Sequence, residues 1–201
     1  MWGIVEDNTI TKLINKPKGL VIGDVRYSRK IFELWSKSEL EAKGIYKVEF
    51  DNTNKKDEQW YVNTNQSFAF AGGKITASYG SATAKAHADT LYTAQDESDG
   101  KGTEGDVATE GLKTVLIRDV KKSAESELSK TDWYITRKTE KNTAIPSSIT
   151  THRDAVRSKQ ASMETSITNA SDTPALETLY AYTKQEDGSY TRPLGELPTL
   201  K

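Results

Sequence analysis

Along the first ninety or so residues the apolar positions fall in short runs broken by Gly, Asn and Asp. From residue 110 onward they return every three or four positions instead. The first pattern predicts strands and the second predicts amphipathic helices. Trp2-Gly3-Ile4-Val5 and Thr9-Ile10-Thr11-Lys12-Leu13-Ile14 flank Glu6-Asp7-Asn8, a natural hairpin turn, and a second apolar unit covers residues 19–25. A short helix is signalled next. Ser36 can cap with its hydroxyl, Glu39 can reach back to the cap N–H, and Gly44 supplies a left-handed stop. Residues 45–50, 59–62, 67–70 and 74–79 follow as aromatic or β-branched strands, with Gly72-Gly73 as a two-residue hairpin loop.

Beyond Tyr79 the pattern changes. Residues 82–92 are alanine-rich and fit a short helix; residues 95–106 are acidic, glycine-rich and without apolar periodicity, as in a linker. Leu112, Val115, Leu116, Val120, Ala124 and Leu128 then recur at helical spacing. A second stripe of Ile149, Val156, Met163 and Ala170 has Arg153, Gln160 and Ile167 as its companion column. That column is mostly polar, which favours one face of a helical hairpin over a coiled-coil seam. Thr131-Asp132-Trp133-Tyr134 falls between the helices. Ile145-Pro146 opens the second one, with Ser147 or Ser148 as cap, and Thr173-Pro174 opens a short third. Asp187-Gly188 marks a late turn, and Pro193 and Pro198 make the end extended.

The fold expected is therefore α+β. An N-terminal antiparallel β-meander domain with one short helix covers residues 1–94, and an acidic Gly-rich linker covers 95–109. A C-terminal helical hairpin follows over 110–170, then a short third helix and an extended arm over 171–201.

Composition narrows the function. Of 201 residues 35% are hydrophobic, the formal net charge is -1 and there is no cysteine. Such a chain is short of material for one large core and suits small modules or burial against other chains. A general attraction to nucleic acid or to an anionic membrane is not expected. No apolar run approaches a membrane span, and Met1-Trp2-Gly3-Ile4 lacks the basic and apolar regions of a secretory signal. No phosphate-binding Gly loop, dinucleotide fingerprint or Gly-x-Ser-x-Gly elbow is present. His87 with Asp89 offers a thin metal pair, and His152 lies on a polar helix face. Asp96, Glu97, Asp99, Glu125 and Glu127 read as solvated carboxylates. Lys121, Lys122, Arg137, Lys138 and Lys141 are interleaved with Glu125, Glu127, Asp132 and Glu140, unlike a phosphate track. The expectation is a protein that is not an enzyme, with no catalytic residue, cofactor or metal and with neither nucleic acid nor membrane as partner.

The best-defined local feature is the pair Trp133 and Tyr134, where two helices must reverse. Such rings can plug the open end of a hairpin, and Arg153 or Arg157 on the returning helix can pair with Asp132 or stack on a ring. Together with Ile149, Val156 and Met163 these are the candidate structural and interaction residues.

The stretch Thr131-Asp132-Trp133-Tyr134-Ile135-Thr136-Arg137-Lys138, then Ile145-Pro146, then Arg153-Asp154-Ala155-Val156-Arg157, resembles the C-terminal helical segment of small tail-fibre and tail-fibre-assembly proteins of tailed bacteriophages. Ile31-Phe32-Glu33-Leu34-Trp35-Ser36, Glu39-Leu40 and Gly44-Ile45-Tyr46 are similar to a segment of structural proteins of marine tailed phages. The resemblance implies residence in, or assembly of, a phage tail, baseplate or fibre, and carries over no catalytic residue. The partners implied are other phage structural proteins and further copies of the chain, in a virion assembled in the host cytoplasm. An assembly chaperone is the alternative. A glycan-binding or glycan-degrading tail protein, with Trp35, Trp60 and Tyr61 stacking on sugar rings, is the third possibility. The residues after the third helix suggest an arm that clips onto a neighbour.

Overall fold

The computed structural model describes residues 1–200, and the chain is α+β as the patterning predicts. It divides into two compact units, Met1–Thr83 and a second beginning at Ala84.

In the first unit β1 (Trp2–Glu6) and β2 (Thr9–Ile14) form the expected hairpin, with Asp7 and Asn8 both in the left-handed region that such a tight turn requires. A two-stranded ribbon follows, β3 (Leu20–Ile22) with β4 (Val25–Tyr27). Two helical turns come next, α1 (Ile31–Leu34) and α2 (Lys37–Glu41), where one short helix was expected. The capping box at α2 is complete: Ser36 Oγ accepts from the Glu39 N–H at 3.3 Å, and the Glu39 carboxylate accepts from the Ser36 N–H at 2.7 Å. The Ser36 N–H first, and the Ser36 hydroxyl donating to the same carboxylate at 2.7 Å second, hold the Glu39 carboxyl below its ordinary range. Gly44 stops the helix at positive φ. It passes so close to β1 that a Cβ there would lie 2.6 Å from the Val5 carbonyl oxygen.

Strand β5 (Ile45–Asp51) then enters the sheet, β6 (Tyr61–Val62) is a short piece apart from it, and β7 (Ser67–Ala71) turns through Gly72-Gly73 into β8 (Lys74–Ser78). The sheet order is β2-β1-β5-β8-β7. All its pairings are antiparallel except β5 with β8, which is parallel, with Val48 opposite Ile75. Here the sheet departs from a simple antiparallel meander. Residues 59–62 do not supply the missing return strand: β6 stays outside the five-stranded sheet, and Trp60 and Tyr61 are buried. β8 carries fully buried Ile75 and Ala77 and takes an interior place, leaving β7, with half-buried Phe68 and Phe70, at the edge. Ile4, Ile14, Leu20, Ile31, Leu40 and Ile45 form one core cluster, tiled by the ring pairs Trp2–Phe32 and Tyr27–Trp35. The unit ends in β9 (Thr83–Ala84), which spans the boundary.

The second unit opens with structure where a helix and a linker were expected. Residues 82–92 are not helical: they lead into β10 (Thr90–Leu91), which pairs with β11 (Val107–Thr109). Between these strands α3 (Ala94–Ser98) is closed by a second capping box, Thr93 with Asp96. The acidic stretch is thus a folded hairpin inside the second unit, and the first unit stops at Thr83 rather than 94. Polar caps and left-handed Gly100 and Gly105 build it, so apolar periodicity gave no sign of it.

Helix α4 (Leu112–Ser129) is followed by α5 (Asp132–Lys141), α6 (Ser147–Asn169) and α7 (Thr173–Tyr180). Lys113 Nζ donates to the Thr168 carbonyl at 2.8 Å, and Lys121 lies 3.5 Å from Glu164. At the other end Arg153 reaches the Leu128 carbonyl, so α4 and α6 run antiparallel as a hairpin. Leu116, Val120 and Ala124 meet the expected stripe of Ile149, Val156, Met163 and Ala170, which is buried throughout, as are Ile167 and Leu176. Neither Ser147 nor Ser148 caps α6; Pro146 stands at the cap with no side-chain bond. Asp172 caps α7 at the Ala175 N–H. The last residues make a small hairpin, β12 (Thr183–Lys184) with β13 (Tyr190–Thr191), around the turn at Asp187-Gly188. The chain then returns to its own helices: the Leu194 N–H donates to Leu179, Lys159 Nζ to the Leu194 carbonyl, and the Leu200 N–H to Glu127. The arm expected to reach a neighbour instead packs on the bundle, where Leu194 is buried away from water.

Candidate functional site

The residues singled out by sequence meet where α4 gives way to α5. Helix α4 ends with orphan carbonyls. The Leu128 carbonyl accepts from the Thr131 N–H at 3.1 Å, from Thr131 Oγ1 at 2.9 Å and from Arg153 Nη1 at 2.7 Å. The same Arg153 nitrogen also donates to Thr131 Oγ1 at 2.7 Å and to Asp132 Oδ1 at 2.8 Å. Thr131 is completely buried and Arg153 is only 8% exposed. One guanidinium therefore ties the end of α4, the cap of α5 and the face of α6. Of the two arginines it is Arg153 that pairs with Asp132. On a helix wheel of about 100° per residue, Arg153 lies about 40° from Ile149 and joins the buried stripe, whereas Arg157 lies about 80° away at its rim. Arg157 faces outward instead and pairs with Asp154 at 3.3 Å.

The expected aromatic plug is displaced. Trp133 is 52% exposed and Tyr134 is half-buried, because Asp132 starts a new helix rather than continuing a turn. Thr131, small and able to bond both Leu128 and Arg153, occupies the closed end instead. The rings stack on each other with centroids 3.8 Å apart and planes inclined by 31°. Arg137, four residues after Trp133 and three after Tyr134, lies over both, its guanidinium carbon 4.7 Å and 5.5 Å from the two centroids. Asp132 is neutralised by Arg153, so its charge does not oppose Arg137.

Beside this joint lies a buried polar cluster that the sequence does not advertise. Glu127, on the inner face of α4, bonds Lys130 and accepts the Leu200 N–H at 3.0 Å, and His152 Nε2 comes within 3.3 Å. The Lys130 contact first, and the Leu200 N–H second, hold the Glu127 carboxyl below its ordinary range. Position 127 falls on the stripe of Val120 and Ala124, so the clue was helical phase rather than residue type.

The other candidates have plainer roles. Asp89 accepts from the Gly111 N–H at 2.6 Å and from Thr114 Oγ1 at 2.8 Å, capping α4 from a distance, while the His87 carbonyl accepts from the Lys113 N–H. Among the described residues no three His, Asp or Glu groups are placed to hold a metal ion. Asp96 is lowered to about 2, first by the Thr93 N–H, then by the Thr93 hydroxyl and Lys101, in its capping role. Trp60 and Tyr61 are core, and Trp35 is half-buried edge-on to Tyr27, so these three rings offer no open platform for sugar. Among the described residues no helix is long and apolar enough to cross a membrane. No known family, curated protein or solved structure matches the chain.

Proposed function

We propose that this chain is a non-catalytic structural component of a tailed-phage particle, in its tail, baseplate or fibre, acting through protein–protein contacts. The observation that carries the proposal is the Trp133–Tyr134–Arg137 stack on α5, which exposes Trp133 and half-buries the other two side chains. Trp, Tyr and Arg are the residue types that most often dominate contact energies. Here the three are already locked together on a helix anchored by Arg153, so a partner would have little side-chain freedom left to restrict. Resemblance of the Thr131–Arg157 stretch to tail-fibre and fibre-assembly proteins supports the same reading. A fibre-assembly chaperone would use the same face but leave the particle. Mass spectrometry of purified particles separates the two: a stoichiometric signal is expected for the structural component. Absence from particles, with fibres lost when the gene is deleted, is the chaperone's signature.

A further inference from the structure

Helix α5 carries its cations on one side. Taking about 100° per residue, Trp133, Arg137, Lys141, Tyr134 and Lys138 follow one another around an arc of about 140°, with Glu140 at its rim. Of the acidic residues that interleave with these cations in the sequence, Asp132 is bound by Arg153 and Glu127 is buried against Lys130, which leaves Glu140 at the rim of the arc. The arc thus combines two rings with three cations, and among the described residues no carboxylate pairs with Arg137, Lys138 or Lys141.

A surface of opposite character lies beyond the other end of α4. The β10–α3–β11 hairpin is held at the start of that helix, where the Leu112 N–H donates to Ala86 and Asp89 caps Gly111. Residues 95–106 hold five carboxylates against one lysine, and Lys101 is already shared by Asp96 and Asp99. Glu104 and Asp106 remain exposed, and their side chains make no ion pair among the described residues. Next to them Leu91 and Val107 sit opposite each other across the ladder, 50% and 48% exposed. The hairpin therefore offers an apolar pair edged by carboxylates, and α5 offers an aromatic pair edged by cations. The hairpin is held at the start of α4 and α5 begins after its end, with the 18 residues of that helix, about 27 Å long, between them.

We infer that the aromatic–basic face of α5 receives the acidic β10–α3–β11 hairpin of a second copy, joining copies head to tail; the inference rests on α5 being a contact face. Trp133 covers the Leu91–Val107 pair, and Arg137 and Lys138 meet Glu104 and Asp106. Such a heterologous contact propagates into a ring or a filament rather than stopping at a symmetric dimer.

Sedimentation velocity of the full chain over a concentration series tests it, at low and at high salt. The wild type forms species larger than a dimer that dissociate as salt rises. The double variants Arg137→Glu/Lys138→Glu and Glu104→Lys/Asp106→Lys each associate at least about tenfold more weakly. Neither pair touches the Arg153 joint or the Thr93–Asp96 box, and circular dichroism checks that both fold. An equimolar mixture of the two keeps one native contact and sets the reversed charges opposite each other at the other, so species larger than a dimer return. A wild type that stays monomeric at low salt, or variants that associate like wild type, would overturn the inference. If the wild type stays monomeric yet binds a labelled single-stranded oligonucleotide through Arg137, the face serves nucleic acid and the inference is equally lost. Loss of particle incorporation on Trp133→Ala, with no self-association, would overturn head-to-tail joining alone and leave the contact face standing.

Discussion

In the strand-built unit Trp60 is buried, Trp2 packs on Phe32 and Tyr46 on Phe70, so large rings fill the spaces around the sheet. In the helix-built unit Trp133 stands half in solvent while an arginine and a threonine close the interior beneath it. The contrast lies in what each place offers. Around the sheet, backbone groups are already paired in ladders, and apolar area decides who goes inside. At the junction of α4 and α5 the carbonyl of Leu128 still needs donors. A buried polar group without a partner costs about 1–3 kcal/mol, so a residue that can donate is favoured there over a ring. The two N–H groups on one Arg153 nitrogen are shared among three acceptors, and its methylenes run along the apolar stripe.

The largest effect expected from testing this contrast is in the two apolar cores. Ile75→Ala in the sheet and Ile167→Ala in the bundle each remove a fully buried side chain, and each should cost about 3 kcal/mol in urea unfolding. A much smaller loss at Ile167 would mean that polar contacts rather than packing hold the bundle. A smaller effect, about 1 kcal/mol, is expected for Ser36→Ala, which removes the cap of α2. Melting followed by circular dichroism should show that loss, whereas Ser36→Thr, which keeps a capping hydroxyl, should retain most of the stability. The smallest concerns acid. Asp96 titrates near 2 in the folded chain, below the usual value of about 3.9. A depressed carboxylate contributes stability that is present above its unfolded pKa and lost as pH falls through the folded one. The contribution of the hairpin cap should thus fade between about pH 4 and pH 2, and Asp96→Asn should flatten that part of the profile. An NMR titration placing Asp96 near its usual value would show that the box is open in solution.

Much of the fold was legible from the chain. The β1–β2 turn, the Ser36–Glu39 box, the Gly72-Gly73 hairpin and the stripe from Ile149 to Ala170 each carry a local signal strong enough to read alone. What could not be read was decided by distant partners. The parallel β5–β8 pairing goes with β6 standing outside the sheet, and the folded acidic hairpin is assembled by caps at Thr93 and Asp89. At the candidate site Asp132, Arg153 and the aromatic–cation pairing were visible as possibilities. Which ring or side chain would fill the joint was not, because helical phase places Trp133 outward only once Asp132 is known to start a helix. Glu127 with His152 escaped for the same reason: two polar residues on different helices meet only when the hairpin register is fixed.

The contrast between a polar joint and a displayed ring is tested most directly by unfolding Arg153→Ala and Trp133→Ala side by side in urea. Arg153→Ala, which removes the guanidinium shared by the Leu128 carbonyl, Thr131 Oγ1 and Asp132, should cost about 2–3 kcal/mol. Trp133→Ala, which gives up one ring stack and one cation contact in a largely solvated place, should cost about 1 kcal/mol or less. If Trp133→Ala were the more damaging of the two, at the roughly 3–5 kcal/mol of a buried tryptophan, the ring would be part of the core and α5 would have no free aromatic face to offer.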